Sequence, residues 1–140
     1  MDTYTITKEQ ARKFILTKHG LLGDYSFVGK DGVLGFVEQV GCIQFDPIDV
    51  CGKNPELVLQ SRVKGFTKQM LDELLYEDRR LLDYFDKNLA IMSIADWKYC
   101  DRIRRGYRNY SRGRDDVERV VPMIIKTIQE RGFVSSKDLD

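Results

Sequence analysis

Gln44 and Asp46 stand on either side of Phe45 in the segment GCIQFDPIDV. In an extended segment their side chains project from one face and Phe45 from the other. A carboxylate and a carboxamide on one face can hold a water molecule: the carboxylate accepts its proton or stabilises positive charge at the carbon attacked, and the amide orients it. The pair therefore indicates hydrolytic chemistry. The alternative is structural, with Asp46 capping the turn that begins at Pro47.

Cysteine and histidine usage argues against several other kinds of site. Cys42, Cys51 and Cys100 are widely spaced, with no CxxC pair, so neither a disulfide framework nor a zinc site is predicted. His19 is the only histidine and precedes Gly20 at the end of a helical pattern, which favours a helix C-terminal role. No glycine-rich phosphate loop follows a strand. We predict neither a metal nor a nucleotide cofactor.

The charges are unevenly distributed along the chain. The formal net charge is +1, yet residues 98–114 hold seven basic residues against one acid, a net +6, which leaves −5 for the remainder. Three tyrosines are interleaved with these arginines, and guanidinium groups beside stacking rings suit nucleic-acid phosphates and bases. The alternative is a solvated helix end whose arginines pair with the acids of 72–86.

The composition is that of a globular protein. The chain has 140 residues, 42% hydrophobic and 32% charged, enough for one domain or slightly more. No apolar run approaches the ~20 residues that cross a bilayer, and the N-terminus lacks the layout of a signal peptide. We therefore predict a soluble, cytoplasmic protein.

Caps and apolar spacing predict the elements that position these residues, and Thr7 with Gln10 three residues later predicts a capping box at the first helix. In chain order they are a helix over about 7–19, a helix near 31–40, a short strand or extended turn over 42–46, a helix with Asn54 as N-cap and Pro55 at its first position, a helix after Thr67, two strands forming a hairpin within 81–93, a helix from Ile94 to about Tyr110, and a helix over 117–131. In the last helix, the apolar residues predicted to face inward are Val120, Val121, Ile124, Ile125 and Ile128.

This order predicts a mainly α fold with a short β hairpin, a winged helix-turn-helix with one helix inserted. A helical bundle with incidental strands is the competing architecture. We expect a winged-helix domain over 1–93, a basic connecting helix or linker over 94–114, and the truncated start of a second winged-helix domain over 115–140. The apolar face of such a partial domain would lack partners and could drive self-association.

Several segments together resemble one protein family. They are QARKFILTKHGL, GVLGFVEQVGCIQFDPIDV, LVLQSRV, LLYEDRRLLDYF and IADW, which occur in this order over most of residues 10–97. They look like the N-terminal part of the YcaQ/AlkZ family of winged-helix DNA glycosylases. The most specific element is Gln-apolar-Asp at Gln44, Phe45 and Asp46, which resembles the YcaQ branch; the AlkZ branch has Gln-apolar-Gln.

The resemblance implies hydrolysis of the N-glycosidic bond of N7-alkylated purines in double-stranded DNA, and unhooking of interstrand crosslinks. Asp46 would stabilise the oxocarbenium-like sugar and act as base, while Gln44 would orient the water. The resemblance implies no metal or nucleotide cofactor and no deep base-flipping pocket. By charge and spacing, the predicted phosphate contacts are Lys98, Arg102, Arg105 and Arg108, with Arg62 and Lys64 at the end of the predicted recognition helix.

The chain departs from the family pattern at two points. Lys87 and Asn88 follow the Tyr84–Phe85 pair where relatives carry His and Glu. Relatives are also longer, with three tandem winged-helix units that surround DNA, whereas this chain offers one and the beginning of another. Two other functions remain open: a winged-helix transcriptional regulator in which Asp46 is structural, and an interaction domain whose arginines bind an acidic partner.

Overall fold

Helices dominate the structure, and a small antiparallel sheet accompanies them, which is compatible with a winged-helix-like fold. The computed structural model describes residues 3–85, 88–108, 113–135 and 137. Internal contacts divide the chain into two compact units, Met1–Ile103 and Arg104–Asp140. The division falls within the helix that the sequence predicts to connect two domains.

The first unit begins with helix α1, Lys8–Lys18, for which a capping box was predicted. Thr7 and Gln10 each bind the other's backbone N–H through the side chain, which confirms this prediction. Strand β1, Phe27–Val28, then leads into helix α2, Gly29–Val40, which ends at Gly41. Helix α2 therefore begins slightly earlier than the apolar pattern predicts.

Three strands form an antiparallel sheet in the order β2–β5–β4. Strand β2 is Cys42–Gln44, β4 is Leu81–Phe85 and β5 is Leu89–Ser93. Strands β4 and β5 are the predicted hairpin, with Leu81 opposite Ser93 and Phe85 opposite Leu89. The short strand predicted at Cys42 is also confirmed, and it lies at an edge of the sheet.

Two helical segments separate β2 from the hairpin. Helix α3, Asn54–Gln60, is followed by strand β3, Val63–Lys64, and by helix α4, Lys68–Asp72, which continues as a π-helical segment over Glu73–Glu77. Strand β3 pairs in parallel with β1, a two-residue contact that the sequence analysis did not predict. Thr67 is the N-cap of α4 but makes no side-chain capping hydrogen bond.

The prediction that Asn54 caps α3 is wrong by one position. The N-cap is Lys53, and Asn54 is already helical. The Asn54 side chain instead donates from Nδ2 to the backbone carbonyl of Gln44.

The hydrophobic core lies between α2, α3, α4 and the sheet. Its buried members are Val33, Phe36, Val37, Ile43, Leu59, Val63, Leu71, Leu74, Leu81 and Ile91. Backbone approach is also close here: a Cβ built on Gly32 would lie 2.8 Å from the carbonyl carbon of Phe27, whereas one on Gly35 would be 3.7 Å from the Phe27 ring. Glycine at position 32 therefore allows β1 to pack on α2.

After β5 the chain forms a 3₁₀ helix, Ile94–Cys100, and then helix α5, Asp101–Arg108. The Trp97 ring packs edge-to-face on Tyr84, with ring centroids 4.9 Å apart, so the 3₁₀ helix is attached to the hairpin. The sequence predicts one continuous helix to about Tyr110, which itself lies outside the described residues.

The second unit is described mainly by helix α6, Arg114–Arg131, which ends at Gly132 in the left-handed conformation. The prediction of a helix here is confirmed, but the prediction that its apolar residues face inward is wrong. Val120, Val121, Ile125 and Ile128 are 37–49% exposed, and Ile124 is half-buried. Helical spacing specifies an apolar face, but burial requires a partner from elsewhere in the chain. Residue 136 and residues 138–140, at the end of the predicted second domain, lie outside the described residues.

Candidate active site

The Gln-Phe-Asp segment lies at the end of the edge strand β2. Ile43 is buried and Phe45 packs against the core, while Gln44 between them is exposed. The predicted alternation is therefore present, and Phe45 is directed inward. The Phe45 amide donates to the Leu89 carbonyl at 2.8 Å, which extends the pairing of β2 with β5 by one residue.

Gln44 is held through its backbone and exposes its side chain. Its carbonyl oxygen accepts a hydrogen bond from Asn54 Nδ2 at 2.8 Å. Gln44 lies opposite Ala90, a residue too small to extend over the Gln44 amide. The carboxamide of Gln44 is thus available to an external ligand.

Asp46 lies beyond the end of the strand and is half-buried. Its Oδ1 accepts a hydrogen bond from the Ile48 amide at 3.0 Å, an Asx turn around Pro47. The structural role that the sequence left open for Asp46 is therefore present. The hydrogen bond from Ile48 occupies one acceptor site of the Asp46 carboxylate, which has roughly four, so other acceptor sites remain.

An open pocket of about 210 Å³ lies beside Gln44. Among its lining residues are Gln44, His19, Asn54 and Arg62, with apolar walls that include Phe36. Asp46 is not among the described residues that line it. The structure therefore brings Gln44 together with three polar side chains from α1, α3 and the turn that follows α3.

Local sequence patterns do not associate His19 or Asn54 with this site. His19 follows α1, and its backbone forms the C-cap of that helix as predicted. It is separated from Gln44 by more than twenty residues, so its position depends on tertiary packing. The local sequence signal at Asn54 is the Asn-Pro pair at the start of α3, and this pair predicts a helix cap and not a contact with Gln44.

Arg62 is held by protein groups. Its Nη1 donates to the Val58 carbonyl at 3.1 Å and to the Ser61 hydroxyl, and its guanidinium carbon lies 5.8 Å from the centre of the Phe36 ring. Its Nε is buried and has no hydrogen-bond partner among the described residues. Arg62 lies in the turn after α3, and Lys64 is exposed on β3, so neither belongs to the helix that immediately precedes the hairpin.

The remaining predicted phosphate contacts are exposed. Lys98 lies on the 3₁₀ helix with its Nζ 5.0 Å from the centre of the Tyr99 ring, and Arg102 lies on α5. Both belong to the first unit. Arg105 and Arg108 follow on the same helix, within the second unit.

The departure from the family pattern falls at the turn of the hairpin. Asn88 is exposed immediately before β5, while Lys87 lies outside the described residues. Asn88 directly precedes Leu89, the residue whose carbonyl binds Phe45.

Ion pairs centred on two lysines, Lys68 and Lys30, join helical segments of the first unit. Lys68 Nζ lies 2.6 Å from Glu56 Oε2, which joins α4 to α3, and this adjacent carboxylate raises the pKa of Lys68. Lys30 on α2 lies 2.8 Å from Asp78 and 2.8 Å from Glu73, and these hydrogen bonds raise the pKa of Lys30. The hydrogen bond from Lys30 also lowers the pKa of Glu73.

Within residues 3–85, 88–108, 113–135 and 137, no cluster of three or more His, Cys, Asp or Glu side chains could hold a metal ion. In the same part of the chain, no helix has both the length and the apolar character needed to cross a lipid bilayer.

Comparison with known proteins identifies the family. The family model of the AlkZ-like DNA glycosylases matches residues 37–140, which include Gln44, Phe45 and Asp46. No curated protein and no solved structure is significantly similar to the chain. Since the match covers well over half of the sequence, the chain belongs to the AlkZ-like family of DNA glycosylases.

Proposed function

We propose that the full-length protein is a DNA repair glycosylase that hydrolyses the N-glycosidic bond of alkylated purines and unhooks interstrand crosslinks, with Asp46 and Gln44 activating the water. One observation supports this most strongly. The Gln-Phe-Asp segment lies within the region matched by the family, at the exposed end of a strand whose Phe45 is packed in the core. Phe45, anchored in the core between Gln44 and Asp46, would limit the movement of both residues and so help to position a water molecule.

The chemistry follows from the charge of the substrate. A purine alkylated at N7 is cationic, so when the bond from the sugar C1′ to N9 breaks, its electron pair neutralises the departing base. The sugar develops oxocarbenium character, which the Asp46 carboxylate stabilises. The water oxygen, oriented by the Gln44 carboxamide, bonds to C1′, and Asp46 accepts the proton.

The Asx turn of Asp46 is consistent with this role. Its hydrogen bond to the Ile48 amide engages Oδ1 and fixes the orientation of the carboxylate. The second oxygen keeps its acceptor capacity for a water molecule. The Ile48 amide in this short loop thus orients the Asp46 carboxylate, which would contact the sugar.

The arrangement of the elements supports a winged helix-turn-helix. Helices α3 and α4 precede the β4–β5 hairpin, and β2 adds the third strand of the sheet. In such a fold the helix directly before the hairpin reads the DNA groove. We therefore assign the recognition role to α4 with its π-helical extension, and Arg62 and Lys64 to the preceding turn and strand.

The decisive experiment measures 7-methylguanine release from alkylated duplex DNA under single-turnover conditions. We expect Asp46→Asn to lower the rate by about 10²-fold or more, because the variant loses both the base and the negative charge. Asp49→Asn is the matched control, since Asp49 is an exposed carboxylate in the same loop. It should retain the wild-type rate.

Equal release by wild type and Asp46→Asn would contradict the catalytic assignment. A duplex crosslinked between purine N7 atoms tests the unhooking activity in the same way.

A second candidate function is that of a DNA-binding winged-helix protein without catalytic activity. The Asx turn of Asp46 favours it, because this hydrogen bond alone is a sufficient structural reason for an aspartate at position 46. This second function would be supported if neither the wild type nor Asp46→Asn released 7-methylguanine and the wild type bound one DNA sequence tightly. In both cases we expect the affinity for DNA to increase as the salt concentration falls.

A further inference from the structure

The edge position of β2 leaves one side of its backbone without a strand partner. The Phe45 amide donates to Leu89, so in an antiparallel pair the alternate residues Ile43 and Phe45 direct their N–H and C=O groups toward β5. Gln44 lies between them and directs its own N–H and C=O away from the sheet. The carbonyl at the end of the candidate catalytic strand can therefore accept a hydrogen bond from another element of the fold.

Asn54 supplies that partner. Its Nδ2 donates to the Gln44 carbonyl at 2.8 Å across the intervening loop. Asparagine is favoured at an N-cap, where its side chain accepts from the helix backbone, yet here the N-cap is Lys53 and no side chain caps the helix. The amide of Asn54 is thus used for the strand and not for its own helix.

The start of helix α3, which carries Asn54, is held firmly. Pro55, which follows it, is fully buried, and Leu59 one turn later has 0% exposure. Glu56 in the same turn pairs with Lys68 on α4. The donor atom therefore projects from a helix end fixed by the core and by an ion pair.

We propose that Asn54 is a positioning residue of the glycosylase site: by binding the outward carbonyl of Gln44, it fixes the end of β2 from which the Gln44 and Asp46 side chains project. This inference rests on the proposed function. Asn54 acts through the backbone and not on the substrate. Its loss should therefore change the rate of the chemical step and leave the affinity for DNA nearly unchanged.

The expected effect is large because geometry dominates the reaction. A displacement of about 1 Å at a reacting group can lower a rate by about 10²-fold. We expect Asn54→Ala to lower the single-turnover rate of 7-methylguanine release by at least about tenfold. The dissociation constant for alkylated DNA should change by less than about threefold, because no phosphate-binding charge is removed.

Gln39→Ala is the matched control. Gln39 Nε2 also donates from a side-chain amide to a backbone carbonyl, that of Lys18, at 2.6 Å. The control removes the same type of hydrogen bond from the junction between α1 and α2 and leaves the Asn54–Gln44 contact in place. It should leave the rate within about twofold of wild type, since the backbone of β2 keeps its partner.

Stability measurements distinguish positioning from general destabilisation. Alanine has a higher helix propensity than asparagine, which offsets the loss of one exposed hydrogen bond, so Asn54→Ala should keep nearly the wild-type unfolding midpoint. Hydrogen exchange should nevertheless become faster in the peptide that spans residues 44–50. A slower reaction in an equally stable protein, with local loosening at β2, is the result expected of a positioning residue.

The two proposals fail in different ways. If Asp46→Asn is inactive while Asn54→Ala reacts at the wild-type rate, the role of Asn54 is contradicted and the proposed function stands. If Asn54→Ala slows the reaction only in proportion to a loss of folded protein, the role is also contradicted. If the wild-type protein releases no base, the proposed function fails, and the positioning role fails with it.

Discussion

The two units of the chain differ in how their apolar residues are used. In the first unit, residues from α2, α3, α4 and the sheet form a closed core. In the second, none of the described residues is buried, although α6 has regular apolar spacing and a left-handed Gly132 at its end. Local sequence is thus sufficient to specify a helix, whereas a core requires contacts between residues distant in the chain.

The ion pairs differ in the same way. The ion pairs described on α6 join residues three or four apart, as in Arg114–Glu118 and Lys126–Glu130. In the first unit, Lys30 on α2 binds Glu73 and Asp78 more than forty residues away. The candidate site lies entirely on the unit that has such long-range contacts.

The largest expected difference is in the cost of losing an apolar side chain. Leu59 is 0% exposed and Ile125 is 49% exposed. We expect Leu59→Ala to lower the free energy of unfolding by about 2–5 kcal/mol, because it leaves a cavity in the core. Ile125→Ala should change it by about 0.5 kcal/mol or less. Urea denaturation followed by circular dichroism measures both, and equal losses would contradict the contrast.

A smaller difference in stability is expected between alanine variants of two glycines on α2. Gly32→Ala would bring its Cβ to 2.8 Å from backbone of Phe27, and we expect a loss of about 1–3 kcal/mol from the resulting shift of β1. Gly35→Ala makes an ordinary contact at 3.7 Å with the Phe27 ring, so its helix propensity should dominate and stabilise the protein by about 0.5–1 kcal/mol. Thermal unfolding of both variants tests the prediction; a stabilised Gly32→Ala would show that β1 does not need this close approach.

The smallest expected effect distinguishes the two kinds of ion pair. Lys30 lowers the pKa of Glu73, so this pair stabilises the fold above the unfolded-state pKa of a glutamate, and the contribution is lost as pH falls through the lowered pKa. Glu73→Gln should therefore destabilise the protein at pH 7, and its difference from wild type should shrink as the pH falls below the unfolded-state pKa of a glutamate. Glu118→Gln, which removes a pair within α6, should have a smaller effect at pH 7. Unfolding midpoints across this pH range provide the measurement.

Much of the fold could be predicted from local patterns. The capping box at Thr7, the apolar spacing of α2 and α6, and the strand-like segments of the hairpin each specify their element within a few residues. The inward direction of Phe45 also follows from alternation along β2. These features depend on neighbours within about one turn of helix or one strand.

The features that could not be predicted depend on contacts between distant segments. The parallel pair of β1 and β3 is two residues long, so neither strand has a recognisable pattern of its own. Asn54 has the sequence context of an N-cap, but it lies one position inside the helix and its Nδ2 donates to the carbonyl of Gln44, ten residues earlier in the chain. His19 reaches the pocket beside Gln44 only through the packing of α1. A long-range contact overrides or supplements a local preference in each case.

The edge position of β2 also bears on how the protein avoids aggregation. An exposed strand edge is a template on which a strand of another molecule can pair. Strand β2 has only three residues, and its last carbonyl is already bound by Asn54. Such an edge offers a second molecule little backbone to pair with, so the same contact that holds Gln44 in place would also keep the strand from recruiting copies of itself.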